Sequence, residues 1–295
     1  MNAITQIIAP GVYDMPAARY HADPCPVPSL SNSIAKKLVR QSPMHAHYAH
    51  PRLGGAGNDT HSQAMDDGTI LHSILLGKGG DIEVIVADDF RTNAAKAARD
   101  AARAAGKTPV LAHKFDALKE TAAAARKQIE AHPAARAIFG PGAAEQAMIW
   151  EEDGTWFRSL VDFMPEQGGL IDIKTTGLSA APGEWERRLI TEYAIQDAFY
   201  SRGFHALRGF HPAPMRFVVI ETDAPYGVSV MQAATSLRAV AEIEVDRAVR
   251  VWRHCMETNE WPGYPQFIAS VEAPNWLINK MDEQENRDAF LENVA

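Results

Sequence analysis

Residues 145–176 read EQAMIWEEDGTWFRSLVDFMPEQGGLIDIKTT. Up to Pro165, apolar and polar side chains alternate on either side of Asp153-Gly154, a dipeptide suited to the two positive-φ positions of a tight hairpin turn. After the Gly168-Gly169 turn, residues 168–176 predict a third strand. Asp172 and Lys174 are two apart on it and share one face, while Ile171 and Ile173 make the other face aliphatic. If this strand is an antiparallel neighbour of the one before it, Asp162 converges on the Asp172–Lys174 face. Two carboxylates supply hard oxygen ligands suited to magnesium or manganese. A lysine ammonium beside them can orient a water or offset charge developing on a phosphate. An Asp-x-Lys triplet arises about once by chance in a chain of this length, so its weight comes from the strand setting.

Downstream, the pattern predicts a long helix over about 184–207, strands in MRFVVIET (215–222) and YGVSVMQA (226–233), and a helix over 234–258. Upstream, SLSNSIAKKLVRQSP (29–43) predicts a helix capped by Ser31 or Ser33 and followed by Pro43. A second helix is expected from Thr60 to Leu76, closed by Gly77, then a strand at Ile82–Ala87. Residues 91–131 read as two helices interrupted near Gly106–Pro109. The first 28 residues, with Pro10, Pro16, Pro24, Pro26 and Pro28, read as irregular, and MDEQENRDAFLENVA (281–295) as a solvated end. The order of elements predicts an α/β (α+β) fold, a mixed central sheet flanked by helices with an additional helical N-terminal region. A single domain over 1–295 is expected, with a helical part at about 29–131, a catalytic sheet and helix at about 143–232, and C-terminal helices at about 233–295.

Of the 295 residues 46% are hydrophobic and 22% charged, which excludes a disordered chain. Twenty-nine basic against 37 acidic residues give a net charge of −8, so contact with nucleic-acid phosphates must be local or metal-assisted. Cys25 and Cys255 are too few for a disulfide framework, a four-cysteine zinc site or an iron–sulfur cluster. No apolar run is long enough for a membrane span and the start lacks a basic leader, so a soluble, cytoplasmic protein is expected. The P-loop motif is absent, hence no ATP, and so is the Gly-x-Ser-x-Gly elbow. His45, His47 and His50 read as a polar helix end rather than a metal face. Lys36, Lys37, Arg40, Arg187, Arg188, Arg202 and Arg208 together could form a basic track, while each alone reads as an ordinary solvated charge.

Asp162, a short spacer, Asp172 and Lys174 form an acidic…acidic-x-Lys pattern that resembles the PD-(D/E)xK nuclease superfamily. Within it, the chain looks most like RecE-type exonucleases of phages and prophages (exodeoxyribonuclease VIII). Gly68-Thr69-Ile70-Leu71-His72 is similar to the upstream helix that contributes a histidine, Glu145 to an acidic residue of the first hairpin strand, and Gln196-Asp197-Ala198-Phe199-Tyr200 to the Gln-x-x-x-Tyr helix. YHADPCPVPSLSNSIAKKLVRQSP (20–43) and EWPGY (260–264) add to the likeness.

The resemblance implies a magnesium-dependent exodeoxyribonuclease, with manganese as a substitute. It would work 5′→3′ on linear double-stranded DNA and leave 3′ tails for a RecT-like single-strand annealing protein. It also implies a homo-oligomer and a bacterial host cytoplasm. By the same resemblance Lys174, Asp172, Asp162, Gln196, Tyr200 and Glu145 would be catalytic, and His72, Asp162, Asp172 and the Ile173 carbonyl would hold metal. Arg158, Arg187, Arg188 and Thr175 would meet DNA, Arg158 replacing a basic residue that relatives carry nearer the first aspartate. Asp172 stands where glutamate is more widespread. The alternatives are a single-strand, flap or endonucleolytic enzyme of the same fold, and a catalytically silent DNA-binding recombination module.

Overall fold

The computed structural model describes residues 6, 7, 9–54 and 63–294, without the side chains of 63–65 and 288–294. The chain falls into two compact units, Met1–Gly263 and Tyr264–Ala295.

The first unit opens with β1 (Gly11–Asp14) and α1 (Ala17–His21), where irregular structure was predicted. Pro10 and Pro16 flank the strand instead of interrupting it, so no ladder bond is lost. β2 (Leu30–Ser31) leads into α2 (Asn32–Arg40) and α3 (Pro43–Ala49). Pro43 begins a helix as well as following one, because its missing N–H costs nothing in a first turn. α4 (Gln63–Leu76) ends before Gly77, and its expected start at Thr60 lies outside the described residues.

β3 (Ile82–Ile85), α5 (Asn93–Ala104), β4 (Thr108–Leu111) and α6 (Ala112–Ala131) follow. The break near Gly106–Pro109 is thus a strand, in which β4 pairs in parallel with β3 as a separate two-stranded sheet. β5 (Gly142–Glu152) and β6 (Thr155–Pro165) form the expected hairpin, with Asp153 at φ 49° and Gly154 at φ 79°. β7 (Ile171–Thr176) comes next. The single helix expected over 184–207 is instead α7 (Pro182–Arg188), a π turn (Leu189–Tyr193) and α8 (Ala194–Arg208). β8 (Arg216–Glu221), β9 (Val228–Met231) and α9 (Thr235–Thr258) complete the unit. In the second unit, α10 (Asn275–Val294) makes the closing segment helical, and its residues 281–287 are exposed as a solvated end should be.

Among the described residues the main sheet has seven strands, ordered β1-β5-β6-β7-β8-β9 with β2 beside β6. β6 and β7 are antiparallel and β7 and β8 parallel, so the sheet is mixed as expected. On one face Trp150, Phe157, Phe199, Phe204 and Trp252 join β5 and β6 to α8 and α9. Gly203 lets α8 lie close, since a Cβ there would stand 2.6 Å from the Trp150 ring. On the other face Leu71, Leu75, Ala125 and Ile129 of α4 and α6 cover Ile171, Ile173, Val218 and Ile220. Burying each such large side chain contributes roughly 1.5–3 kcal/mol. Among the described residues no helix is long and apolar enough to cross a membrane.

Candidate active site

The site grows from the place where β6 and β7 part. The two strands are bridged at Phe163–Ile171, and one step further the Asp162 carboxylate takes the place of the ladder, accepting the Ile173 N–H at 2.7 Å. Asp172 and Lys174 lie on the same face, as their spacing requires, with the Lys174 ammonium 2.5 Å from Asp172 Oδ2. Gln196 of α8 donates its amide N–H to the other Asp172 oxygen at 2.5 Å. From the opposite side α4 brings His72 Nδ1 to 3.7 Å from Asp162 Oδ2. Gly68 permits this approach, because a Cβ there would sit 3.2 Å from the Thr175 hydroxyl.

Burial sets the charges. Burial pushes the Asp162 carboxyl well above the usual range, and the like charge of Asp172 adds to the rise, against Lys174 and the Ile173 N–H. Burial likewise pushes His72 down to about 4, Asp172 pulling it up and Lys174 down. The imidazole is therefore neutral near pH 7, and its contact with Asp162 is not an ion pair. Lys174 is raised in spite of its burial, because Asp172 and Asp162 favour the ammonium. It is a fixed cation and not a general base.

Glu145 reaches the rim. It lies between the Ala144–Phe163 and Gln146–Val161 pairs of the hairpin, hence opposite Asp162, with φ at 51°. Its charge contributes to the rise at Asp162, while its own carboxyl is raised by burial against the pull of Lys78. A glutamate in the left-handed region costs of order 1 kcal/mol or more and is a feature that gathers at functional sites.

His72, Glu145, Asp162, Asp172, Ile173, Lys174 and Gln196 therefore lie together where β6, β7, α4 and α8 meet. Of the other predicted residues, Arg158 is the one placed against expectation. Tyr200 is buried and donates its hydroxyl to the Leu160 carbonyl at 2.9 Å, so it holds β6 in place. Arg158 is buried, not a DNA contact: Nη1 donates to the Ser29 carbonyl at 2.8 Å and lies 3.3 Å from Asp23. Arg187 is exposed, and Arg188 packs its guanidinium over Trp185 at 5.4 Å. Thr175 lines a cavity of ≈ 380 Å³ beside the site, with Lys114 and Thr121 of α6 on its other wall. Of the three clustered histidines, His50 is a core residue, bonded through Nε2 to the Ser29 carbonyl at 3.1 Å.

One residue of the site, Tyr193, was not singled out by the sequence, and Lys36 was read only as one charge of a basic track. The π turn presents Tyr193 so that the Lys174 ammonium stands 4.8 Å from its ring centroid. Lys36 of α2 stands 5.7 Å from the same centroid and donates to the Glu192 carbonyl at 3.1 Å. The only local signal is the π turn itself, a device common at functional sites but invisible in a helix-like pattern.

Two strand-borne aspartates, an adjoining lysine and a helix-borne glutamine on a mixed sheet define the PD-(D/E)xK nuclease fold. The chain belongs to the family described as "PDDEXK-like domain of unknown function (DUF3799)", which matches residues 31–273. Among solved structures it is similar to one from Eubacterium rectale titled "Putative exonuclease", at TM-score 0.51 and 14% identity, covering 84% of this chain and 90% of that one. No curated protein matches the chain.

Proposed function

We propose that the protein is a metal-dependent DNA exonuclease that hydrolyses phosphodiester bonds, 5′→3′ on linear double-stranded DNA. The observation that carries this reading is the under-compensated pair Asp162 and Asp172. Lys174 and Gln196 both engage Asp172, yet Asp162 beside it is held above the ordinary carboxylate range by burial and by the Asp172 charge. Among the described residues no three His, Cys, Asp or Glu side chains already surround one point. The donor set nevertheless fits a hard divalent ion, because two mutually repelling carboxylates and a neutral imidazole gain most from a cation. Asp162, Asp172, His72 and the Ile173 carbonyl would hold it. Bound there, Mg²⁺ or Mn²⁺ supplies Lewis-acid polarisation of a phosphoryl oxygen and an offset to its charge.

The chain's own groups do the rest. Lys174, charged at neutral pH, orients the attacking water and stabilises negative charge building on the phosphate. Gln196 fixes the Asp172 rotamer, and Tyr200 fixes the strand that carries Asp162. Glu145 orders the surroundings of the scissile phosphate. Thr175, Arg187 and Arg188 flank the path of the strand. In this reading the enzyme forms a homo-oligomer in a bacterial host of phage or prophage, and its 3′ tails pass to a RecT-like annealing protein.

The test is digestion of linear duplex labelled at the 5′ or the 3′ end, with Mg²⁺ or EDTA, for wild type and Lys174→Ala. Metal-dependent release of the 5′ label, lost in the variant, is the expected result. Release from closed circles would instead favour an internal cutter. No cleavage of linear, nicked or single-stranded DNA with either metal would end the nuclease reading.

A further inference from the structure

We propose that Lys36 is a phosphate ligand of the nucleic-acid strand, holding a backbone phosphate next to the one being cut. The inference rests on the nuclease reading for its ligand, but its observations are separate. α2 places the Lys36 ammonium over the Tyr193 ring that also receives Lys174. Lys174 has a carboxylate partner in Asp172, whereas Lys36 forms no ion pair among the described residues. Among the described residues its hydrogen bond goes to a neutral acceptor, the Glu192 carbonyl. An ammonium has three donors, so two remain for a ligand.

This lysine is partly exposed, and what sets it apart is its place over the Tyr193 ring. Keeping it there beside Lys174 costs desolvation and like-charge repulsion. Burial and Lys174 both disfavour its charged form, while Glu192 and Asp172 favour it. Anions relieve both costs, and a nucleic-acid strand supplies a phosphate at every nucleotide. A cation one aromatic ring away from the catalytic lysine is placed for the neighbour of the scissile phosphate. Tyr193 serves both ammoniums through its ring face. The carbonyl anchor at Glu192 fixes the lysine's long chain before the ligand arrives, so less side-chain entropy is lost on binding.

The experiment measures binding of a fluorescent oligonucleotide by anisotropy, with Ca²⁺ in place of Mg²⁺, over a range of salt concentrations. Wild type, Lys36→Gln and Lys36→Arg are compared, and wild-type cleavage with Mg²⁺ is run alongside. Lys36→Gln should bind more weakly, and its plot of log affinity against log salt should be shallower by about 0.7–0.9. Lys36→Arg should restore the slope, which a merely structural lysine would not do.

An unchanged slope in folded Lys36→Gln overturns the proposal, and leaves the nuclease reading standing if wild type cuts. A Lys36-dependent slope in a protein that does not cut upholds the phosphate site and removes the nuclease. No binding by wild type overturns the proposal. Should Lys36→Gln fail to fold, acetylation of the wild-type lysines with and without oligonucleotide decides, read by mass spectrometry. Protection of Lys36 supports the site, and unchanged labelling rejects it.

Discussion

β6 carries two acid–base clusters, around Arg158 and Asp162, and the two are compensated in opposite ways. At Arg158, the Asp23 carboxylate accepts the Ser29 N–H at 2.9 Å and the Ser29 hydroxyl at 2.7 Å, with Arg158 at 3.3 Å and His50 at 3.4 Å. Burial alone would raise this carboxyl, but the His50 hydrogen bond, the Arg158 charge and the Ser29 bonds hold it down at about 2. At Asp162 the balance reverses, and burial with a like charge raises the carboxyl. The lesson is that a buried carboxylate matched by opposite charge holds the chain together, whereas one crowded by a like charge is poised to take a cation.

The sharpest way to break this contrast is to neutralise one acid of the site. Asp162→Asn is expected to cut cleavage by a factor of about 10²–10³ or more, while its melting temperature stays level or rises, because a repulsive charge is gone. Gel cleavage and calorimetry read the two quantities, and a loss of several degrees would put Asp162 among the stabilising groups instead. Next in size, Arg158→Ala should cost about 3–5 kcal/mol in denaturant unfolding, since it strands the buried Asp23 charge. Cleavage per folded molecule should persist, and selective loss of DNA binding at full stability would return Arg158 to the nucleic-acid interface.

Acid titration sharpens the same point. The folded Asp23 carboxyl lies at about 2 against an ordinary 3.8, so the unfolded chain takes up its proton first. Its contribution of about 2 kcal/mol is therefore complete above pH ~4 and disappears as the pH falls toward ~2. Asp23→Asn should show a flatter acid limb in its unfolding curve; a parallel limb would remove Asp23 from the acid response. The smallest effect is expected for Gly68→Ala. Helix propensity gains about 1 kcal/mol, set against the 3.2 Å approach to Thr175. Stability should change by no more than about 1 kcal/mol, while cleavage falls as α4 shifts His72. Unchanged cleavage would show that the spacing of α4 is not critical.

Much of the site was legible because its signals are local. Asp153-Gly154 sets the hairpin through two positive φ angles, and the two-residue spacing of Asp172 and Lys174 puts both on one face. Gly68, read as part of the helix that carries His72, lets that helix lie close to Thr175. The misreadings share a cause. Prolines suggested an irregular start, yet Pro10 and Pro16 flank β1 and α1, where the backbone donor is not needed, and the stretch with Pro24, Pro26 and Pro28 is irregular. Thr108 and Val110 formed a strand because β3 was there to pair with them. A helix-like run concealed the π turn that presents Tyr193.

What the sequence by itself determined is the period of each element and the face on which each charge stands, because both follow from backbone geometry within a few residues. Which charges would be compensated was decided only by the tertiary structure. Arg158 and Asp162 sit on one strand, and nothing local distinguishes a buried structural cation from a site acid. Ser29, His50 and Asp23 converge on the first from far along the chain, while Asp172, Lys174 and His72 converge on the second. The cost of burying a charge depends on the partners that fold against it, and those partners are set by packing rather than by adjacency.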